Sequence, residues 1–191
     1  MDMRSNSNRS RAKRTCSAGN DVELQHDRYL RPLRGYLRAS ISSNIMINRK
    51  ASARWSGDLK QGKGSLSTGS GTLNDTQFAF GSRFESGTGT NPEELIGAAL
   101  AGCFTMALSS SLSNAGHVPD EVRTEAKVSM DKVDDKMTIT SIHLETTGRV
   151  AGVDQATFDD LVERTREGCI ISRVLDTKIT VNAKLLQGTS A

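Results

Sequence analysis

Cysteine is scarce in this 191-residue chain: there are three, at positions 16, 103 and 169. Three scattered cysteines cannot form the disulfide framework of a small secreted module. They suit a reducing, cytoplasmic compartment, where a disulfide is transient and catalytic. Metal-binding spacings are missing too, with no Cys-x-x-Cys and no His-x-x-x-His. His26, His117 and His143 read as lying in the N-terminal tail, a turn and a strand, which speaks against a structural zinc site. No Gly-x-Ser-x-Gly elbow is present and His143 is expected to fill a strand face, so a Ser/Cys–His–Asp hydrolase is disfavoured. No stretch approaches the ~20 apolar residues of a transmembrane helix, and the N-terminus lacks the apolar core of a secretory signal. The expectation is no metal, no cofactor and no membrane.

Apolar residues make up only 36% of the chain, and the shortfall is concentrated in residues 1–45. That segment is rich in Ser, Asn and Arg and holds nine Lys/Arg against four Asp/Glu, a net of +5. The whole chain has a formal charge of +3, so residues 46–191 carry a net of −2. The basic character therefore belongs to the tail, which argues against a nucleic-acid partner for the body. Asp2, Asp21, Glu23 and Asp27 count against an organelle transit peptide. Residues 1–45 read as a disordered tail or extension with Met46 as the start, Cys16 being incidental, and residues 46–191 as one domain.

What is present begins with short strands. Ala51, Ala53 and Trp55 alternate with polar residues as in a half-buried strand, and weak strands are expected at Ser65–Thr68 and Gln77–Phe80. Gly57 and Gly62-Lys63 match the start of a phosphate-binding loop, but Gly64 replaces the Ser/Thr and no apolar helix follows. The strongest pattern is a helix capped by Thr90 or Asn91, with Pro92, Glu93 and Glu94 in its first turn. It runs past Cys103 to Asn114, where Ala115-Gly116 stops it. Its first two-thirds is apolar or small all round, which predicts burial on most sides by a sheet or a second subunit.

Two strands after Pro119 turn at Asp134-Asp135, and the alternation slips between Ile139 and Ile142, which predicts a bulge. Asp154 caps a second helix with Phe158, Leu161 and Val162 inward. Gly168 ends it, Cys169 follows, and a last strand alternates Ile179, Val181, Ala183 and Leu185. Strands, long helix, hairpin, helix and strand make an α+β fold.

From the residues alone the chemistry stays open. Cys103 in an apolar helix reads first as an inert small hydrophobe with a raised pKa, needing a nearby cation to react. Cys169, after a helix-ending Gly, is either a loop cysteine or the start of a helical turn whose N–H groups favour a thiolate.

The segments Ala53-Arg54-Trp55-Ser56-Gly57-Asp58, Arg83-Phe84-Glu85, Asn91-Pro92-Glu93-Glu94-Leu95-Ile96-Gly97-Ala98-Ala99 and Cys103-Phe104-Thr105-Met106-Ala107-Leu108 resemble the osmotically inducible protein C (OsmC) family. This is the sister group of the organic hydroperoxide resistance (Ohr) proteins, and the likeness runs from about Met46 to Leu186. It implies antiparallel sheets wrapped around a long central helix in an intertwined homodimer. It also implies a cofactor-free peroxidase acting on a small-molecule hydroperoxide and recycled by an external dithiol such as a lipoyl protein or thioredoxin. By this resemblance Cys103 is the peroxidatic thiol, Cys169 the resolving one, Arg83 the cation beside the thiolate and Glu93 the carboxylate that orients it. Phe104 and Met106 are expected to line an apolar substrate pocket.

Glu93 and Cys103 lie ten residues apart, about 15 Å along a helix. Either Arg83 spans that gap or a second subunit completes the site. The sequence departs from the family's Cys-Pro-Val-Ser in having Cys169-Ile170-Ile171-Ser172, which relaxes the backbone beside the resolving cysteine. A protein that senses stress through a reversible disulfide, without turnover, is the alternative.

Overall fold

The computed structural model describes residues 46–187. The expectations for residues 1–45, Cys16 and His26 included, lie outside them. One compact unit begins at Arg49. Its first sheet is an antiparallel meander of β1 (Ala51–Ser56), β2 (Lys63–Thr68) and β3 (Thr76–Ala79). Asp58 Oδ1 accepts the backbone N–H of Lys60 and of Gln61 at 2.9 Å each. The stretch that mimics a phosphate loop is thus a self-satisfied turn between strands. Every residue of β1 is exposed, which corrects the half-buried expectation: the alternation is real, but nothing within the chain covers it among the described residues.

The short helix α1 (Phe80–Phe84) follows β3 without a loop, so Phe80 belongs to it and not to the strand. Buried Ser82 ties this corner together. Its Oγ accepts from the Ala79 N–H at 3.0 Å and donates to the Thr90 carbonyl at 2.8 Å, and its own carbonyl accepts from Asn91 Nδ2 at 3.1 Å. The corner hands the chain to the long helix α2 (Pro92–Asn114). Asn91 is the cap: its Oδ1 accepts the Glu94 N–H at 2.8 Å, relieving one unpaired donor of the first turn. At the far end Gly116 takes φ 88° and the His117 N–H returns to the Leu112 carbonyl at 2.9 Å.

Leu100, Phe104, Leu108 and Leu112, at four-residue spacing, are fully buried. Burying such side chains supplies on the order of 1.5–3 kcal/mol each. The opposite face, with Ala98, Ala99, Gly102 and Met106, is exposed, Met106 to 77%. Within the chain, the expected burial on most sides is therefore met on one side only. Nor is the chain free of long apolar helices, as the sequence reading held: α2 is long and apolar enough to cross a membrane by length and composition. Its Leu/Phe stripe lies in the protein core.

The second sheet has the order β4-β5-β6. β4 (Pro119–Val133) and β5 (Lys136–Val150) form a hairpin turned by Asp134 and Asp135 at φ 48° and 62°, the paired left-handed geometry of a two-residue turn. Ser129 faces Ser141 while Met130 faces Ile139, so Thr140 is the extra residue of a bulge where the alternation slips. Helices α3 (Gln155–Gly168) and α4 (Ile170–Val174) then carry the chain back, and β6 (Lys178–Gln187) pairs with β5 in parallel. The expected antiparallel sheets around a long helix are present, and β6 alone among the described strands pairs in parallel, because a helical crossover and not a hairpin joins it to β5.

Asp154 Oδ1 caps α3 by accepting the Thr157 N–H at 2.7 Å. Ile142, Leu144, Phe158 and Val162 complete the core with the α2 stripe. A Cβ on Gly148 would sit 2.5 Å from the Phe158 ring, so only glycine lets α3 settle on β5.

Candidate active site

Cys103 lies on α2 one residue before buried Phe104, at the edge of the core stripe, and is partly exposed. Cys169 occupies the joint between α3 and α4. Its N–H still bonds the Thr165 carbonyl at 2.9 Å, but its own ψ of 130° breaks the helix, and its carbonyl accepts from Arg173 N–H at 3.0 Å as α4 begins. Both helices pack on α2, and the kink delivers a side chain only 2% exposed to Cys103. The sulfurs are 2.9 Å apart across 66 residues of sequence, both as free thiols. A disulfide closes from that separation without rearrangement of the helices.

The two thiols titrate in opposite directions. Burial pushes Cys103 above the ordinary thiol range and its hydrogen bond to Cys169 adds to this, against a smaller pull from the backbone N–H groups of Ile171 and Ile170. Burial also pushes Cys169 up, but there it is outweighed. The hydrogen bond with Cys103, the N–H and hydroxyl of Ser172 and the N–H of Ile171 leave its pKa below the usual value. Among the described residues no cation acts on the Cys103 thiol.

Arg83 and Glu93 form the second half. Arg83 Nη2 donates to Glu93 Oε1 at 2.6 Å, and Nε donates to the two carboxylate oxygens at 3.1 and 3.2 Å. Such a two-point grip fixes the guanidinium plane. Arg83 also stacks on Phe84, 5.1 Å from its ring centre. Arg83 borders an apolar cleft of about 220 Å³ walled by Trp55, Leu59, Phe78, Phe80 and Phe84. The structure thus joins Cys103 to Cys169 and Arg83 to Glu93, but not one pair to the other within a chain. Phe104 is fully buried in the core and Met106 points outward, so neither lines the expected pocket. The aromatic cleft was overlooked in the sequence. The recurrence of Trp55, Phe78, Phe80 and Phe84 around Arg83 was its only trace there.

His143 sits on the outer face of β5, within 2.6 Å of Thr180 Oγ1 and 2.9 Å of Glu145 Oε1. It fills a strand face as expected and holds the Glu145 carboxyl below its ordinary range. Among the described residues no three His, Cys, Asp or Glu side chains are grouped as metal ligands.

A family model described as OsmC-like protein matches residues 85–184. The chain is 49% identical to peroxiredoxin OsmC of Escherichia coli over 141 residues, which cover 74% of this chain and 99% of the relative. Among solved structures, the organic hydroperoxide resistance protein OhrB of Bacillus subtilis matches with a TM-score of 0.58 at 25% identity, over 74% of this chain and 99% of that one. An OsmC-like protein of Vibrio cholerae matches with a TM-score of 0.60 at 15% identity, over 72% of this chain and 99% of its own, and shares the fold.

Proposed function

Because this chain belongs to the OsmC family, we propose that it is a cofactor-free thiol peroxidase that reduces organic hydroperoxides through Cys103 and Cys169. The observation that carries the reading is the 2.9 Å approach of the two sulfurs. A Cys103 thiolate attacks the distal peroxide oxygen. The O–O bond breaks, an alkoxide leaves and takes up a proton, and the sulfur becomes a sulfenic acid. Cys169 then displaces hydroxide from that sulfur, giving water and a disulfide. An external dithiol such as a lipoyl protein or thioredoxin returns both thiols by exchange.

The first step needs Cys103 as an anion, yet burial in one protomer favours the thiol. The active unit in this reading is an intertwined homodimer in which one subunit lends Arg83, aimed by Glu93, to the Cys103 of the other. Three observations support it: the bare apolar face of α2, the uncovered strand β1, and the tie of Arg83 to Glu93, which lies about 15 Å of helix away from the Cys103 of its own chain. The aromatic cleft beside Arg83 suits the hydrocarbon part of an organic hydroperoxide. A cytoplasmic location fits the need for a dithiol reductant and reduced cysteines.

The test is a steady-state assay with cumene hydroperoxide and dithiothreitol, followed by peptide mapping for a Cys103–Cys169 bridge. Multiple turnovers with the bridge are expected. Stoichiometric oxidation with no turnover would instead identify a redox sensor.

A further inference from the structure

The two sulfurs of the pair are not equivalent. Cys103 keeps exposed surface, while Cys169 is 2% exposed beneath it. In-line attack on a disulfide needs access to the sulfur attacked, along the extension of the S–S bond. Below Cys169 lies a second anomaly. Ser172 Oγ is buried and makes no hydrogen bond of ordinary geometry among the described residues, an unfavourable state for a hydroxyl. Ser172 is nevertheless the third residue of α4, which Cys169 caps, the position whose N–H and side chain reach back toward the cap residue, and both favour the Cys169 thiolate. Nothing in the resting dithiol uses that donor fully.

Resting on the peroxidase reading, we propose that Ser172 serves the recycling half of the reaction, as the donor to Cys169 when it leaves the disulfide. The incoming thiolate bonds to Cys103 Sγ, the Sγ–Sγ bond breaks, and its electron pair stays on Cys169, where the Ser172 hydroxyl and N–H receive it. The second thiol of the dithiol, once deprotonated, attacks the reductant's own sulfur in the mixed disulfide. Cys103 is released as a thiolate, the reductant leaves oxidised, and a proton returns to the pair. The direction of exchange is set by burial, and its rate by a hydroxyl that favours the thiolate form of Cys169.

The probes are dithiothreitol and glutathione acting on full-length protein whose disulfide is formed with diamide, so the test does not depend on peroxide turnover. Acid quenching, unfolding and alkylation should place glutathione on Cys103 and the alkyl group on Cys169. Glutathione found mainly on Cys169 would overturn the proposal.

Ser172→Ala should slow opening by dithiothreitol about tenfold, as expected for loss of one hydrogen bond to a developing charge, and Ser172→Thr should restore most of it. In the Cys103→Ser background, Ser172→Ala should raise the Cys169 pKa, followed by thiolate absorbance. An unchanged opening rate and pKa in a folded Ser172→Ala protein would overturn the role of the hydroxyl. If that variant fails to fold, the Ser172→Thr rate and the glutathione map decide. Wild-type protein that opens as described but does not turn over peroxide would sink the peroxidase reading alone.

Discussion

Arg83 grips Glu93 through three nitrogen–oxygen contacts of 2.6–3.2 Å, yet this pair stands a long stretch of helix from the Cys103 of its own chain. The Arg83 side chain is 40% exposed and that of Glu93 12%. As a surface ion pair the contact contributes little to stability, about 0–1 kcal/mol. Its value lies in aiming a charge. Glu93→Gln should therefore leave the melting temperature nearly unchanged while lowering kcat/KM about a hundredfold, the usual scale for a misplaced electrostatic donor. Equal losses of stability and activity would show that the pair is structural.

The pH dependence has a definite sign. Burial holds the Cys103 pKa high, and a guanidinium brought beside it must lower it. Removing that cation in Arg83→Met should move the profile of Cys103 alkylation by iodoacetamide toward higher pH, with the thiolate lost over the interval between the two midpoints. A profile that stays in place would remove Arg83 from the site.

Cys103→Ser should abolish peroxide reduction. Cys169→Ser should permit one turnover and accumulate a sulfenic acid that dimedone traps, counted by intact mass. Repeated turnover with dithiothreitol in the latter variant would mean that the buried sulfur is dispensable.

Ile170 is 69% exposed at the first position of α4, and the preceding residue has φ −58° and ψ 130°, which a following proline tolerates. Ile170→Pro should thus stabilise the protein by about 0.4–1 kcal/mol through the unfolded chain. It should also remove one N–H that favours the Cys103 thiolate. The expected result is a higher melting temperature together with a higher Cys103 pKa.

Gly148→Ala places a methyl group against Phe158 at 2.5 Å. The ring is fully buried and cannot swing into solvent, so denaturant unfolding should register a loss of about 1–3 kcal/mol.

Local chemistry made much of this fold readable from the residues. Asn91, Pro92 and the two glutamates mark the start of α2, Asp134-Asp135 marks the hairpin, and the slip between Ile139 and Ile142 marks the bulge at Thr140. Each is decided by neighbours within a few residues. The parallel pairing of β6 was not legible, because strand direction depends on where a crossover lands. The exposure of β1 and of the outer face of α2 was also missed, since apolar patterning states that a face wants cover and not which chain supplies it. At the site, the union of Cys103 and Cys169 followed from family likeness and not from spacing, because a sequence separation of 66 carries no geometric message. Ser172 left no sequence signal at all: an ordinary serine becomes notable only when its hydroxyl is found buried.

The depth of Cys169 also governs how this protein is damaged. Excess peroxide drives a sulfenic acid on to sulfinic and sulfonic states that dithiols cannot reverse, and such over-oxidation needs an oxidant to reach the sulfur. Under the proposed mechanism Cys169, screened from solvent, is spared, and of the two the injury falls on Cys103. A partner sulfur already in contact shortens the lifetime of the vulnerable state. The arrangement that speeds the cycle is also what shields it from suicide inactivation.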